Sequence, residues 1–236
     1  MPQEHIVSSF DRDLEGIQAL IMRMGGLVEE SILNAATALE TRDEELAQRV
    51  RRADKAIDEL ELQVNEEAAR IIALRAPAAS DLRTVLSIFR LSANLERIGD
   101  YSKNIAKRST VLIQTQPING TAHALKRMAG SVEVMLKDVL DAYIQRDAEL
   151  AEDVRARDHQ VDQMYSALFR EYLTHMMEDP RNITACMHLH FIAKNVERMG
   201  DHVTSIAEQV IYMVTGELPD EDRQKEDRTP YEGVVS

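Results

Sequence analysis

The sequence predicts an all-α protein made of two tandem-repeat three-helix bundles, with six long antiparallel helices. Three observations predict this: the composition favours helix, apolar residues recur at helical spacing, and the second half of the chain repeats the first. Aromatic residues make up only 4% of the 236 residues, and there is no Trp. Strands favour aromatic and β-branched residues, whereas Ala, Leu, Glu, Arg and Gln favour helix. The composition therefore indicates helices and not sheets.

An internal repeat divides the chain into two copies. The segment RDEELAQRVRRADKAID, which starts at Arg42, aligns with RDAELAEDVRARDHQVD, which starts at Arg146. RMGGLVE pairs with RMAGSVE at the same offset, and NLERIGDYSKNIA pairs with NVERMGDHVTSIA at a slightly shorter one. Because the three blocks keep their order, duplication followed by drift is the simplest explanation. We therefore expect one domain over residues 1–115 and a second over residues 116–216.

Each copy contains three long helical patterns, the first of which runs in copy one from about Arg12 to Thr41. Apolar residues in the next two recur at steps of three and four, which draws one stripe along each helix. The stripe of the second helix comprises Leu46, Val50, Ala53, Ile57, Leu60, Val64 and Ile71, and that of the third comprises Leu82, Val85, Phe89, Leu95 and Ile98. Short loops make such helices antiparallel, so we expect two elongated bundles, side by side or end to end.

Capping and breaking residues mark the ends of these helices. Asp43 and Asp147 stand where an N-cap belongs, directly before the second helical pattern of each copy. Pro77 and Pro180 end that helix, because proline lacks an N–H group and clashes with the preceding turn. The segment QPING, residues 116–120, carries turn residues and separates the copies.

The net charge of −13 restricts the kinds of partner that the protein can have. It argues against nucleic acid and against an anionic membrane surface, both of which require a basic face. It permits a basic protein partner or bound cations. With no long apolar run and no signal peptide at the start, we expect a cytoplasmic protein without membrane insertion.

Two further features concern the single cysteine and the C-terminal segment. Cys186 has no second cysteine to pair with, and we interpret it as a buried small apolar residue. Residues 217–236 lose the apolar periodicity and are rich in charge and proline. We predict that this acidic segment is a disordered tail.

Four pairs of acidic residues, each four residues apart, recur at equivalent positions of the two copies. They are Asp54/Asp58 and Glu96/Asp100 in the first copy, and Asp158/Asp162 and Glu197/Asp201 in the second. Residues four apart leave the same face of a helix, so two antiparallel neighbours can gather four carboxylates in each bundle. Spacing alone is weak evidence in a chain with 41 acids, but only these pairs recur. Such oxygen clusters suit Mg²⁺, Mn²⁺, Ca²⁺ or iron.

Like charges at this spacing destabilise a helix by roughly 0.2–0.5 kcal/mol, so something positive should compensate them. One interpretation is a bound cation. The other is neutralisation by Arg97, Arg198 and neighbouring Arg or Lys residues, on a solvated acidic face.

Two glycines, Gly99 and Gly200, lie within the third helix of each copy, where glycine lowers helix stability. Their recurrence at this place predicts that a neighbouring helix approaches closely.

The sequence contains none of the motifs HExxH, Walker A and GxSxG, nor the Glu-x-x-His of ferritin-type di-iron proteins.

The sequence resembles the PhoU family, phosphate-signalling regulators of bacteria. The resemblance lies in the doubled blocks LERIGD and VERMGD, each followed by Ile-Ala, and in the APAASDLR turn. The resemblance covers residues from about Phe10 to Gly216. Members of that family are two tandem three-helix bundles, and some bind multinuclear metal clusters through paired acid-x-x-x-Asp motifs.

The resemblance implies a metal site at the eight carboxylates named above, holding Fe, Mn, Mg, Zn or Ca, with Arg97, Arg198, Asn94 and Asn195 around it. Asn94 and Asn195 depart from the family, which often has an acid there; an amide still offers an oxygen but no charge. The implied function is negative regulation of the phosphate-starvation response and of phosphate uptake. A homodimer without catalytic activity would act by contacting the phosphate sensor histidine kinase and the phosphate transporter ATPase. The alternatives are a carboxylate-bridged metal-binding protein or metalloenzyme, and a metal-free helical adaptor.

Overall fold

The structure, a computed structural model, describes residues 2–219, with side chains from Phe10 onward. The described part of the chain contains six α-helices and no strand, which confirms the all-α prediction. The helices are α1 (Pro2–Thr41), α2 (Glu44–Arg75), α3 (Ser80–Leu112), α4 (Thr121–Gln145), α5 (Ala148–Glu178) and α6 (Ile183–Thr215). A 3₁₀ turn, Pro180–Asn182, connects α5 to α6.

The helix ends follow from the residues that the sequence places there. An Asp43 carboxylate oxygen accepts a hydrogen bond from the Leu46 amide at 2.9 Å. Asp147 accepts two, from Glu149 and Leu150, at 3.0 Å each. Both N-cap predictions are therefore confirmed, and α2 and α5 each end two residues before a proline. The first helix starts earlier than Arg12, at Pro2, and proline is well suited to a first helical position.

The two bundles lie side by side. Within each bundle all three helices contact one another, and between the bundles α1 packs on α4 and α3 on α6. Helices α2 and α5 therefore lie on the outside, at opposite ends of a layer ordered α2–α3–α6–α5. Side-chain pairs along α3 and α6, from Arg90 with Gln209 to Arg108 with His188, show that these two helices run antiparallel.

The apolar stripes form the core, with one correction. Val50, Ile57 and Val64 are buried as predicted, but Ala53 is exposed, so its place in the stripe was wrong. Asp54, the next residue, takes the buried position instead and is only 4% exposed. The stripe steps from Val50 by four and then by three residues, which brings a carboxylate, and not a methyl group, against the neighbouring helix.

Two other predictions meet the structure here. Cys186 is a free, buried cysteine, as expected, and burial raises the pKa of its thiol. Helix α6 ends at Thr215 and is followed by Gly216, which adopts the left-handed conformation typical of a C-cap. The predicted tail lies outside the described residues except for its first three, 217–219. Among the described helices, none is long and apolar enough to cross a membrane.

Candidate functional site

The first acidic cluster lies on the seam between α2 and α3. Asp54 projects from α2 towards α3, and Gly99 of α3 allows the two helices to approach closely. A Cβ atom at Gly99 would lie 3.0 Å from the Ile57 Cδ1 atom, tighter than ordinary van der Waals contact. The close-approach prediction for this glycine is therefore confirmed, and the approach brings the buried carboxylate within reach of α3 side chains.

Lys103 of α3 supplies the positive charge at this seam. Its Nζ atom lies 2.5 Å from an Asp54 carboxylate oxygen and 3.5 Å from an Asp100 carboxylate oxygen. Side-chain hydrogen bonding to Asp54 is the main reason why the pKa of Lys103 is raised. The ammonium group thus joins carboxylates of two helices, one of them buried.

Asp58 and Glu96 complete the first cluster and are harder to ionise than usual. Removal of its carboxyl from water, followed by the charge of Asp54, raises the pKa of Asp58, although the residue as a whole is exposed. Burial, followed by the charge of Asp100, raises the pKa of Glu96 to about 7. Arg97 lies at 3.6 Å from Glu96 and 3.9 Å from Asp100, but it is largely exposed. Lys103 and the largely exposed Arg97 are thus the cations that contact the acids of this cluster.

The second cluster occupies the equivalent seam between α5 and α6 and is more deeply buried. Asp158, Asp162 and Glu197 are 4%, 6% and 5% exposed. A Cβ atom at Gly200 would lie 3.0 Å from the Asp158 Oδ1 atom, so here the glycine makes room for a carboxylate itself. Asp201 is partly buried beside them, and its charge, like that of Asp162, helps to raise the pKa of Glu197 after burial, the largest cause.

Lys194 brings a positive charge to this second cluster. Its Nζ atom lies 2.7 Å from the Glu197 Oε1 atom and 5.0 Å from the centre of the Tyr165 ring. The other carboxylate oxygen of Glu197, Oε2, is buried and has no hydrogen-bond partner. A buried carboxylate oxygen without a partner is unusual and costly, which distinguishes this position from an ordinary ion pair.

The two lysines do not correspond to each other in the repeat. Thr204 stands in the second copy where Lys103 stands in the first, and Ala93 stands in the first copy where Lys194 stands in the second. Thr204 is buried and donates its hydroxyl hydrogen bond to the Gly200 carbonyl. Ala93 is exposed. Each copy therefore brings a lysine to its acidic cluster, but the two lysines come from different turns of the equivalent helices α3 and α6.

The amides and arginines that the sequence placed around the clusters have different surroundings. Asn94 lies between the bundles: its Nδ2 atom donates to the Arg90 carbonyl, and its Oδ1 atom accepts from His202 at 2.7 Å. Burial lowers the pKa of His202. Asn195 is partly buried and Arg198 is exposed. Asn94 thus connects the bundles and does not point at the lysine of its cluster.

The side chains of the two clusters do not form a ready-made metal site. Within residues 2–219, no group of three or more His, Cys, Asp or Glu side chains is positioned to hold one. The ammonium groups of Lys103 and Lys194 stand against the carboxylates that would be ligands. As they are arranged, the side chains therefore do not fit a metal ion, and coordination requires that the lysines move away.

The sequence predicted the eight carboxylates and named Arg97 beside them, but it did not name the two lysines that contact the clusters. The structure brings Asp54, Asp58 and Asp100 together with Glu96 beside them, and gathers the four acids of the second copy on one seam. Lys103 and Lys194 each lie three residues from a cluster acid on the same helix. That spacing, typical of ion pairs on one helix face, is the signal that identifies them in retrospect.

Comparison with known proteins places the chain in a family. The family model described as "PhoU domain" matches residues 21–109 and again 125–210. A "Phosphate-specific transport system accessory protein PhoU homolog" of Rhizobium meliloti (strain 1021) is 45% identical over the full length of both chains. A protein of the same name from Caulobacter vibrioides is 44% identical over 95% of this chain and 97% of its own.

Two solved structures of PhoU proteins also match the chain in fold and in sequence. The crystal structure of PhoU from Pseudomonas aeruginosa matches with a TM-score of 0.84 at 40% identity, over 88% of this chain and all of that one. That of the "phosphate transport system regulatory protein PhoU" from Streptococcus pneumoniae matches with a TM-score of 0.83 at 33% identity, over 89% and 99%. Two family matches, one per bundle, with full-length relatives and the same fold, lead to one conclusion: the chain belongs to the PhoU family.

Proposed function

We propose that this protein is a negative regulator of the phosphate-starvation response and of phosphate uptake. It acts through contacts with the phosphate sensor histidine kinase and with the ATPase of the phosphate transporter. The observation that carries the proposal is the full-length relationship to proteins named phosphate-specific transport system accessory proteins, at 45% identity. The relative from Streptococcus pneumoniae, whose name calls it a regulatory protein, points the same way.

The physical character of the protein supports action by contact. Two packed helical bundles and a net charge of −13 give a strongly acidic body. Such a charge favours docking on more basic surfaces, raises the association rate and makes binding sensitive to salt. The accessory and regulatory names of its relatives fit a protein without an enzymatic reaction of its own.

Deletion of the gene in its own bacterium tests the regulatory role. We expect phosphate-starvation genes to be transcribed when phosphate is plentiful, and expect a plasmid copy of the wild-type gene to restore repression. Repression that persists in the deletion strain refutes the proposal. Affinity capture from phosphate-replete cells tests the partners: the sensor kinase and the transporter ATPase should be enriched, and their recovery should fall as salt is raised.

We also propose that the clusters bind a divalent cation. The gathering of Asp158, Asp162 and Glu197 on one buried seam favours it, because carboxylate oxygens are the ligands that hard divalent cations prefer. The unpartnered Oε2 atom of Glu197 is a second favourable feature. Elemental analysis of the native protein is the test. A stoichiometric metal supports the proposal, whereas its absence from protein purified without chelator supports the metal-free adaptor; redox turnover of a loaded protein would instead indicate a metalloenzyme.

A further inference from the structure

A row of arginines follows the seam between α3 and α6, where the two bundles meet. This arginine stripe comprises Arg83, Arg90, Arg97 and Arg108 of α3 and Arg198 of α6. Its first three members are seven residues apart, close to two helical turns, so they share one face of α3. From Arg83 to Arg108 the stripe extends over about 38 Å of helix.

Both ends of the stripe are stacked on aromatic rings of α6. The guanidinium carbon of Arg83 lies 5.8 Å from the centre of the Tyr212 ring. That of Arg108 lies 4.3 Å from the centre of the Phe191 ring. These contacts direct the two side chains from α3 across to α6, and so place their charges on the seam itself.

The middle of the stripe receives arginines from both helices. Burial lowers the pKa of His202, and the charges of Arg97 and Arg198 lower it further. Both guanidinium groups therefore lie near this imidazole, which joins α6 to α3 through its hydrogen bond to Asn94. Because Arg97 and Arg198 are exposed, the stripe faces solvent here.

Most of the stripe has no acidic partner within the described part of the chain, although the whole chain contains 41 acids. Arg97 lies near two carboxylates of the first cluster. The members that form no ion pair with another described residue are Arg83, Arg90, Arg108 and Arg198. The Arg83 Nε atom is in addition buried without a hydrogen-bond partner, which is costly. The stripe thus has positive charge and donors available for another molecule.

Acidic clusters border the stripe on both sides. The layer order α2–α3–α6–α5 puts the first cluster on the seam to one side and the second cluster on the seam to the other. Neighbouring helix axes are about 8–10 Å apart, so the positive surface is about one helix wide. A broad anionic surface such as a membrane would bring its charge against the flanking carboxylates, whereas a single acidic segment fits between them.

Exposed apolar side chains accompany the arginines. Leu86 follows Arg83 by three residues and precedes Arg90 by four, so it lies on the same face of α3. Leu86 and Phe191 are 46% and 44% exposed. Arginine and aromatic residues are enriched in protein interfaces, and apolar area at such a place favours a partner that is apolar as well as acidic.

We propose that the arginine stripe is the docking surface for an acidic amphipathic helix of a partner protein. Acidic side chains at every seventh position of that helix pair with the stripe, and its apolar side chains pack on Leu86 and Phe191. This assignment rests on the proposed action by contact and gives one such contact its chemistry. The net charge of −13 repels an acidic helix from the rest of the surface, so the seam is where such a helix binds.

A designed peptide tests the docking on the full-length protein. The probe is a fluorescein-labelled helical peptide of about three heptads, with glutamate at every seventh position and leucine beside it. The control peptide has the same composition in scrambled order. We expect fluorescence anisotropy to show that the probe binds more tightly than the scrambled peptide. Equal binding of the two peptides overturns the proposal.

Two variants with the same change in net charge test whether the stripe is the site. Arg90→Ala/Arg198→Ala removes two exposed arginines of the stripe, and Arg49→Ala/Arg52→Ala removes two exposed arginines of α2. We expect the first variant to bind the probe about tenfold more weakly than wild type, because two charge pairs are lost. The second should bind it nearly as wild type does. Equal affinity of the two variants overturns the proposal.

Three further outcomes would assign the stripe to another occupant and overturn the proposal. The first is binding to vesicles of phosphatidylglycerol and phosphatidylcholine that Arg90→Ala/Arg198→Ala abolishes, which indicates a membrane. The second is a dimer that the same variant dissociates, which indicates a second copy. The third is probe binding that appears only after residues 220–236 are removed, which indicates that acidic segment. None of these results bears on the regulatory proposal, which the deletion strain tests separately.

Discussion

His202 of α6 reaches across the boundary between the bundles, and its Nδ1 atom donates a hydrogen bond to the Asn94 Oδ1 atom of α3 at 2.7 Å. The Tyr101 ring lies beside the imidazole, with the ring centres 5.6 Å apart. Both partners are next to or near cluster acids, Asp201 in one copy and Glu96 in the other. The contact therefore joins α3 to α6 close in sequence to an acid of each cluster.

Asn94→Ala should weaken the joint between the bundles. The variant leaves the partly buried imidazole N–H without its acceptor, which we expect to cost about 1–3 kcal/mol of the free energy of unfolding. Urea unfolding of the purified proteins measures the loss. Asn104→Ala, an exposed asparagine of the same helix, is the control and should change stability little. Equal stability of the two variants would contradict a structural role for the His202 contact.

Gly200→Ala should destabilise the second bundle. Its Cβ atom would lie 3.0 Å from the Asp158 Oδ1 atom and 3.4 Å from the Val161 Cγ1 atom, in a tightly packed seam. We expect a loss of about 1–3 kcal/mol, the usual cost of overpacking. Gly26→Ala in α1 has nothing within 4 Å of the new atom and should stabilise the protein slightly. Thermal melts that rank the two variants in the opposite order would disprove the close approach.

The raised pKa of Glu96 predicts a pH dependence of stability. The folded protein binds this proton up to a pH of about 7, whereas the unfolded chain releases it near 4.5. The folded state therefore holds more protons between those values, and stability falls as the pH rises through that window. Glu96→Gln removes this loss, so its advantage over wild type should grow from pH 4.5 to pH 8.

Urea unfolding at several pH values checks that trend for Glu96→Gln. The expected gain at pH 8 is about 1 kcal/mol once solvent screening is allowed for. Glu66→Gln, at an exposed position of α2, is the matched control and should follow wild type at every pH. A constant difference between Glu96→Gln and wild type would show that the carboxyl is not responsible.

The double variant Asp100→Ala/Asp201→Ala links the clusters to regulation. If a cation at the clusters sets the docking surface, the variant folds but no longer represses phosphate-starvation genes, and this is the outcome we expect. Circular dichroism of the purified variant and a reporter gene in phosphate-replete cells are the two measurements. Repression that survives, with stability unchanged or slightly higher through relief of like-charge repulsion, would show that the acids only face solvent.

Local rules explain most of what the sequence predicted correctly. Asp43 and Asp147 are N-caps because a carboxylate satisfies free amides within its own turn, whatever the rest of the fold does. Pro180 ends a helix for equally local reasons. Gly99 and Gly200 could be interpreted because a costly residue, present twice within a helix, requires a close neighbour.

The errors and omissions depend on how helices rotate against one another. Ala53 and Asp54 are adjacent, and only the rotation of α2 against α3 decides which of them is buried. The same rotation decides which lysine reaches a carboxylate: Lys103 does so, whereas Lys107, one turn further along, is exposed. Periodicity gives the face of a helix within about one residue, which is too coarse to assign an ion pair.

The side-by-side arrangement of the bundles has a consequence for how the chain acquires its structure. Within each half, every helix packs on helices that are next or next but one in sequence, so the contacts are local. Proteins dominated by local contacts fold fast. The first half, complete at Leu112, can form its three-helix core while the ribosome is still adding the second. The last event is then the docking of α4 on α1 and of α6 on α3, a step that a separately expressed first half would lack.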